Sequence, residues 1–315
     1  MKKSTPSSST TPGYKKWDRG LKVFYVAMLA LPLIQFFICY ICVNFNSILL
    51  SFQEYDKLTG KTSFVGFDQF AELWRKFFDG TLWKAFGNSM KYFAINVFLV
   101  IPCTLMFSYY IFRRFTGGGF FKILLFLPNM VSGMIWVMFY YDLCEFGIPD
   151  MLVMMKGLSE RPAGLLLETE TAESMLIIFN VWMTMGSTML LYLNAMTQIS
   201  PSVIEAAELD GAGEARTFVS VILPSIWGTL VSFLVLQIAM IASNQASIFS
   251  FFASDGARVQ TLGYYQFSLL YWYGQLRGPE AYPYAAAVGL FFTLIVAPVS
   301  LISKHFLLKY GPKEE

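Results

Sequence analysis

Six stretches of about 20 mostly apolar residues constrain this chain more than any other feature of its sequence. They run approximately over Val23–Val43, Tyr92–Phe112, Phe120–Tyr141, Met175–Met196, Ile226–Ser247 and Ala285–Leu307. An apolar helix of this length is long enough to cross the hydrocarbon core of a bilayer. The sequence therefore predicts an all-α membrane protein with six transmembrane helices.

The composition agrees with this prediction and excludes several soluble classes. Hydrophobic residues make up 56% of the 315 residues and charged residues only 14%, whereas soluble globular proteins contain about 25% charged residues. The net charge of +2 gives no strong overall field. These values exclude an ordinary cytosolic enzyme, a nucleic-acid-binding protein and a disordered chain.

The placement of Lys and Arg predicts that both termini lie in the cytoplasm, because cytoplasmic loops are enriched in these residues. With the N-terminus inside, the cytoplasmic segments contain Lys2, Lys3, Lys15, Lys16, Arg19, Lys22, Arg113, Arg114, Lys122, Arg216, Lys304, Lys309 and Lys313. The 142–173 connection, predicted to lie outside, contains seven acidic residues against Lys156 and Arg161.

Three regions follow from this topology. We expect residues 1–22 to form a disordered cytoplasmic tail, residues 23–308 the transmembrane domain, and residues 309–315 a second cytoplasmic tail. The first apolar stretch is too long for a signal-peptide core, so we expect it to be retained. In the external 50–91 connection, the mixture of aromatic and charged residues at 67–78 predicts short interfacial helices. Whether this connection only caps the bundle or docks another protein stays open.

Little in the sequence points to catalysis, metal binding or nucleotide hydrolysis. Cys39 and Cys42 form a single C-x-x-C pair inside an apolar stretch, which is typical of buried thiols rather than a zinc or redox site. The single histidine, His305, lies at the end of the last apolar stretch. The Gly-Lys-Thr sequence at 60–62 resembles part of a phosphate-binding loop, but Tyr55 stands where that loop needs glycine. We therefore expect no enzyme activity, no metal and no cofactor held by this chain.

The 197–225 connection is long for a turn between two membrane helices. Its sequence predicts two short helices around a glycine turn, because Ser200 or Ser202 can cap the first helix and Asp210 and Gly211 favour a turn. Three apolar side chains would anchor the second helix, namely Phe218, Val221 and Ile222. A helix of small residues fits a groove on another protein. A helix that merely covers the end of the bundle would explain the same spacing equally well.

The acidity of this connection is unusual for the cytoplasmic side. It contains Glu205, Glu208, Asp210 and Glu214 against the single basic residue Arg216. This excess runs against the positive-inside trend. Something other than topology therefore favours the acidic residues.

Several short motifs stand in and around this connection. They are Glu205-Ala206-Ala207, Asp210-Gly211-Ala212, Phe218, Ile222-Leu223-Pro224, Leu127-Pro128, the Asn-Val-Trp sequence at 180–182 and the Tyr-Ala-Ala-Ala sequence at 284–287. Together they resemble the permease subunits of binding-protein-dependent ABC importers with their EAA loop, specifically the carbohydrate-type maltose and glycerol-phosphate uptake group. The resemblance covers roughly residues 84–308. Ser200 replaces a usual proline, and the sequence at 255–258 replaces the usual Gly-Gly-Pro turn.

The resemblance implies a type I ABC importer permease fold in a bacterial or archaeal cytoplasmic membrane. The first helix of the loop would dock in a cleft of a cytosolic ATPase, with Glu205 paired to a basic group there and Gly211 allowing the bend. The residues implied in ATPase coupling are Glu205, Ala206, Ala207, Asp210, Gly211, Ala212, Phe218, Leu223 and Pro224. The implied partners are a second homologous permease subunit, an ABC ATPase dimer that uses the ATP, and an extracytoplasmic solute-binding protein.

Polar side chains at membrane depth normally face a cavity or another helix. The resemblance aligns eight residues with the sugar site of maltose-type permeases, namely Asn129, Gly133, Asn180, Met183, Thr184, Gln237, Ile241 and Asn244. Amides both donate to and accept from sugar hydroxyls, and Trp136 and Trp182 could stack on a sugar ring. Amides between membrane helices also serve as interhelical hydrogen bonds, so both roles stay open for each residue.

Two hypotheses of different class follow. In the first, the chain is a permease subunit that moves a sugar or oligosaccharide by alternating access, driven by a separate ATPase. In the second, it is an ATP-independent secondary carrier or a membrane scaffold. A carrier is expected to show inverted repeats, broken helices or a mid-membrane carboxylate, and the sequence reveals none of these.

Overall fold

A computed structural model describes residues 19–56, 59–157, 159–273 and 278–312. The chain divides into two compact units, Met1–Leu50 and Ser51–Glu315. The first unit contains one helix, α1, which comprises Arg19–Gln35, the π-helical stretch Phe36–Cys42 and Val43–Leu50. None of the described side chains of α1 is buried, as befits a helix that lipid can solvate. Most of the predicted 1–22 tail lies outside the described residues.

The second unit is almost entirely helical. In chain order it contains β1 (Gln53–Asp56), β2 (Lys61–Phe64), α2 (Asp68–Phe78), α3 (Thr81–Ile95, Asn96–Val100 and Ile101–Phe112), α4 (Gly118–Met130), α5 (Gly133–Asp142, Leu143–Gly147 and Ile148–Lys156), α6 (Thr169–Met196), α7 (Pro201–Leu209), α8 (Glu214–Thr217, Phe218–Ile222 and Leu223–Ser225), α9 (Trp227–Met240), α10 (Ile248–Phe252), α11 (Leu262–Ser268 and Leu269–Tyr273) and α12 (Ala281–Tyr310), with 3-10 turns at Ala253–Val259 and Gly278–Glu280.

Within the described residues, four helices are long and apolar enough to cross a membrane, namely α1, α3, α6 and α12. Two bent helix pairs are also long and apolar enough to be crossings. The α4–α5 pair bends by 103° and the α8–α9 pair by 72°. With each pair counted as one span, the six predicted spans are confirmed.

The third span is broken, although the sequence revealed no broken helix. Val131 and Ser132 adopt extended backbone conformations between α4 and α5. Pro128 in the last turn of α4 has no N–H to donate to the preceding turn, which weakens the helix just before the break. Broken helices are therefore present, so their absence can no longer be used as an argument against a carrier.

The helix of the fifth predicted stretch is shorter than Ile226–Ser247. This helix, α9, ends at Met240. A turn over 241–247 follows, in which Ala246 and Ser247 have positive φ angles of 51° and 59°. The side-chain oxygen of Asn244 accepts a hydrogen bond from the Ala246 N–H at 2.8 Å. Such local side-chain bonds compete with the helix and end it.

The first connection of the second unit contains the predicted short helix, α2, preceded by a hairpin that the sequence did not predict. Strands β1 and β2 pair antiparallel, with Gln53 opposite Phe64 and Asp56 opposite Lys61. The Gly-Lys-Thr sequence at 60–62 thus lies in a hairpin, whereas a phosphate-binding loop joins a strand to a helix. This agrees with the exclusion of that motif.

An apolar cluster joins the 197–225 connection to the ends of α3, α6 and α9. Its buried members are Ile101, Leu105, Tyr192, Met196, Ile204, Ile222, Ile226 and Leu230. Ile204 comes from α7 and Ile222 from α8, so both arms of the connection contribute to one core. Burial of such side chains stabilises the arms by roughly 1.5–3 kcal/mol each.

Candidate functional site

The 197–225 connection folds as the predicted pair of short helices around a glycine turn. α7 begins at Pro201 with Ser200 at its N-cap position. The Ser200 hydroxyl bonds to that of Ser202 at 2.8 Å, so the predicted side-chain cap of a backbone N–H does not form. Gly211 has a φ of +75°, and its N–H donates to the Glu208 carbonyl at 3.0 Å. The chain therefore reverses at a left-handed residue that favours glycine.

α7 turns one face to the core and leaves the rest in solvent. Ile204 is buried in the apolar cluster, whereas Val203 is 47% exposed and Leu209 is 89% exposed. Glu205 and Ala206 are also exposed, and Ala207 is half-buried. A helix that only covered the bundle would bury its apolar side chains. The exposure favours docking against another protein.

Two of the four acidic residues of this connection are held by an arginine that the sequence analysis assigned only to topology. The Nη2 atom of Arg113, directly after α3, lies 2.7 Å from Glu208 Oε1 and 2.6 Å from Glu214 Oε1. The Nε–H of Arg113 also donates to Glu214 Oε2 at 3.0 Å. The Arg113 guanidinium, followed by the Tyr109 hydroxyl, lowers the pKa of the Glu214 carboxyl below its usual range.

Glu205 and Asp210 are the two acidic residues of the connection that Arg113 does not bind. Both are exposed, and within the described part of the chain neither makes an ion pair. Glu205 lies at the wall of a cavity of about 630 Å³ between α7 and the ends of α3 and α6, which Arg114 and Lys122 also line. The connection therefore presents, beside its small residues, an exposed carboxylate that makes no ion pair in the described part of the chain.

The remaining predicted coupling residues face the bundle more than the solvent. The rings of Phe218 and Tyr109 pack with centroids 5.0 Å apart. Ala212 is half-buried and donates its N–H to the Ala207 carbonyl at 3.0 Å. Leu223 and Pro224 are half-buried in the last turn of α8. The predicted set thus divides into outward-facing residues on α7 and anchoring residues on α8.

Two predicted substrate residues make interhelical hydrogen bonds. The Asn180 amide nitrogen donates to the carbonyls of Leu176 and Ala246, both at 2.8 Å. The side-chain oxygen of Asn244 accepts a hydrogen bond from the N–H of the same Ala246. The backbone carbonyl of Asn244 accepts from the Thr261 hydroxyl at 2.9 Å. These contacts tie α6 and α11 to the turn after α9. The Asn180 amide thus makes the interhelical contact that the sequence left open, whereas the side-chain bond of Asn244 is local to its own turn.

Gln237, Ile241 and Asn244 meet in one polar niche, although Ile241 and Asn244 lie beyond the end of α9. The niche is also lined by Ser89, Tyr92, Phe93, Asn96, Met240 and Thr261. Its volume of about 10 Å³ is room for about one water molecule, so no sugar ring fits in this conformation. Sequence analysis missed Asn96, although an amide inside the second apolar stretch was a signal for it.

The other predicted substrate residues lie outside this niche. A Cβ added at Gly186 would come 2.6 Å from the Asn129 amide nitrogen, so Asn129 lies against α6. Asn129 and Gly133 flank the break in the third span and are exposed, whereas Met183 and Thr184 on α6 are half-buried. Of the eight residues, Gln237, Ile241 and Asn244 thus line the niche and the other five do not.

The two tryptophans proposed to stack on a sugar contact each other. Trp136 and Trp182 lie with ring centroids 4.9 Å apart in an edge-to-face arrangement. Among the described residues, no group of three or more His, Cys, Asp and Glu side chains could hold a metal ion. Cys39 and Cys42 are exposed free cysteines on α1.

Comparisons with known proteins place these features in a family. Residues 112–310, more than half of the chain, match the family described as "Binding-protein-dependent transport system inner membrane component". The arabinooligosaccharides transport system permease protein AraP of Bacillus subtilis (strain 168) is 23% identical, over 95% of this chain and 93% of that protein. The lactose transport system permease protein LacF of Rhizobium radiobacter is 23% identical, over 81% of this chain and 84% of that protein.

Solved structures show the same fold. A chain of a bacterial ABC transporter involved in the import of the acidic polysaccharide alginate matches with a TM-score of 0.73 at 19% identity, over 92% of this chain and 97% of that chain. A second structure of an alginate transporter, in complex with an alginate pentasaccharide-bound periplasmic protein, matches with the same TM-score at 20% identity, over 92% of this chain and 96% of that one. The predicted importer permease fold is confirmed.

Proposed function

Because the chain belongs to the family of binding-protein-dependent transport system inner membrane components, we propose that it is the permease subunit of an ATP-driven importer of sugars or oligosaccharides. Its relatives AraP and LacF carry the names of sugar transport systems, and its fold is that of a permease in an alginate importer. The strongest structural support is α7, a helix at the end of the bundle that leaves apolar and acidic residues exposed.

In this proposal α7 is the helix through which a cytosolic ATPase acts. Glu205, Ala206, Ala207 and Asp210 form the contact surface, since Glu205, Ala206 and Asp210 are exposed and Ala207 is half-buried beside them. Small residues let the partner's walls come close, and the free Glu205 carboxylate pairs with a basic group of the partner. Gly211 and Ala212 form the turn, and Phe218, Leu223 and Pro224 anchor α8 to the bundle.

The solute passes between this chain and a second, homologous permease subunit by alternating access. The niche that contains Gln237, Ile241 and Asn244 is closed to a sugar, so solute reaches these residues only when α3 and α9 separate. Asn129, Gly133, Asn180, Met183 and Thr184 belong to the same proposed path. Since the predicted path offers amides and a hydroxyl rather than charges, a neutral saccharide fits it best.

We also propose the orientation and the boundaries that the sequence predicts. Both termini lie in the cytoplasm, residues 23–308 form the transmembrane domain, and residues 1–22 and 309–315 are tails. A solute-binding protein docks on the opposite side and an ABC ATPase dimer docks on α7. The alginate transporter structure with its periplasmic protein supports the first of these contacts.

Affinity capture through a tag on this chain tests the proposal directly. We expect a second permease, an ABC ATPase and a solute-binding protein to co-purify from the native membrane. Thermal shifts of the captured binding protein with arabino-oligosaccharides, lactose and oligogalacturonates then identify the solute class, and we expect neutral saccharides to give the larger shifts. Capture of the chain alone, without any ATPase, would contradict the proposal.

An ATP-independent carrier is the second candidate, because the two bent helix pairs resemble the interrupted helices of such carriers. The two functions differ in their energy source. Depletion of cellular ATP stops an ABC importer, whereas a protonophore under conditions that keep ATP constant stops an ion-coupled carrier. Uptake that responds only to the protonophore would favour the carrier.

A further inference from the structure

Arg113 bridges the two arms of the 197–225 connection. Glu208 precedes Gly211 by three residues and Glu214 follows it by three, so the bonded carboxylates lie on opposite sides of the turn. The bond to Glu214 is bidentate, through both Nε and Nη2. Paired charge-assisted hydrogen bonds of this geometry are stronger than single surface ion pairs. The side chain of Arg113 is only 20% exposed, which limits screening by solvent.

The elements around Arg113 extend the same contact. Tyr109 lies one turn earlier on α3, donates its hydroxyl to Glu214 and packs its ring against Phe218. Below these polar contacts, Ile204 and Ile222 of the two arms share the apolar cluster with Ile101 and Leu105 of α3. The two arms therefore contact α3 through the apolar cluster and through the ion pairs of Arg113.

We infer that Arg113 is a positioning residue that locks the 197–225 connection, here called the coupling loop, to α3, so that α3 moves together with the loop. This inference rests on the proposed function of α7. Motion at α7 then reaches the membrane by two routes. One is the covalent path from α8 into α9, and the other is the path through Arg113 into α3. The two routes converge at the niche, because α3 contributes Asn96 and α9 contributes Gln237 to its wall.

The locking itself is measured by hydrogen–deuterium exchange of the full-length chain in lipid nanodiscs. Arg113→Gln removes the charge and the fork geometry, so we expect exchange over residues 201–217 to quicken roughly tenfold. Arg114→Gln is the matched control, because Arg114 is the adjacent arginine and makes no ion pair in the described part of the chain. Equal exchange in the two variants would overturn the inference.

A double-mutant cycle tests whether the pair acts as a unit. Glu214→Gln alone and Arg113→Gln alone should each quicken exchange, and the double variant should be little faster than Arg113→Gln, since interacting residues are not additive. Additive effects would show that the two side chains act independently, and the lock would be rejected.

The mechanical consequence is tested on the captured transporter with ATP and vanadate as the probe. In a chain whose native cysteines are replaced by alanine, Asn96→Cys reports on α3 through its rate of labelling by a small maleimide. We expect trapping to change this rate severalfold in the parent and not in the Arg113→Gln variant, with ATPase still co-purifying. A change that persists in the variant, or no change in the parent, overturns the role of Arg113. Absence of any ATPase in the parent overturns the proposed function instead, and the exchange result still decides the lock.

Discussion

Gly211 sets the reversal of the coupling loop through its backbone alone. Its φ of +75° costs an L-residue about 1 kcal/mol, and its N–H is bonded to Glu208. We expect Gly211→Ala to reduce uptake partly and Gly211→Pro to abolish it, because proline lacks the N–H and fixes φ near −65°. Membrane abundance should stay normal in both variants, as measured by immunoblot.

Gly213 provides the comparison for this test. It has a φ of −72°, and an added Cβ would meet nothing within 4 Å. Gly213→Ala should therefore be tolerated. If Gly211→Pro transports normally, the bend is not required for coupling.

Glu205 is the residue whose charge matters most for docking in this proposal. Glu205→Lys should leave folding unchanged, because the side chain is exposed and unpaired within the described chain. It should abolish uptake by reversing the ion pair with the ATPase. Ser202→Lys introduces a lysine three residues earlier, with a charge change of one unit instead of two, and should cost much less. Co-purified ATPase per permease measures the docking, and equal losses in the two variants would argue against a specific pair.

Sequence reasoning found the outward-facing residues of the site and missed those that hold them. Glu205 and Gly211 stand in a local motif, so spacing within a few residues was enough. Arg113 lies about a hundred positions from its partners, and only the fold brings it to them. Asn244 shows the same limit. Its identity indicated a polar role, but its bond to Ala246 required the turn that ends α9.

At the level of helices, the contact of α4 with α6 depends on Gly186. A Cβ at this position would lie 2.1 Å from the Leu125 carbonyl oxygen, so Gly186→Ala must separate the two helices. We expect a loss of about 1–3 kcal/mol in stability, as for other overpacked sites. Gly87→Ala on α3 is the control, because its Cβ would meet nothing. Thermal denaturation in detergent compares the two, and equal midpoints would contradict the close contact.

The length of the apolar stretches predicted where helices exist but not where they break. Apolar residues continue across Pro128, Val131 and Gly133, and hydropathy does not register a change of direction between them. The hairpin at 53–64 was missed for a different reason. Each strand has only four residues, one of them aromatic and the other three polar, so the sequence shows no alternation that would indicate a strand.

On the scale of the whole molecule, the orientation in the membrane is the property most open to direct test. In a chain whose native cysteines are replaced by alanine, Ser159→Cys should react with a membrane-impermeant maleimide added to intact cells, because it lies in the proposed external connection. Ser202→Cys should react only after the cells are opened. Both serines are exposed, so a difference in burial would not explain a difference in labelling. The reverse pattern would invert the proposed topology.

The broken spans also have a consequence for biogenesis. α4 has 13 residues and α9 has 14, which at 1.5 Å per residue gives about 20 Å, short of the roughly 30 Å of hydrocarbon. α1, the most apolar of the four long spans, can enter lipid from the ribosome by itself. α4 instead depends on a partner not yet synthesised, because the helix it packs along is α6. We expect nascent chains stopped after residue 157 to be extracted by alkali more readily than those stopped after residue 197. The order in which helices become stable in the bilayer thus differs from the order in which they are made.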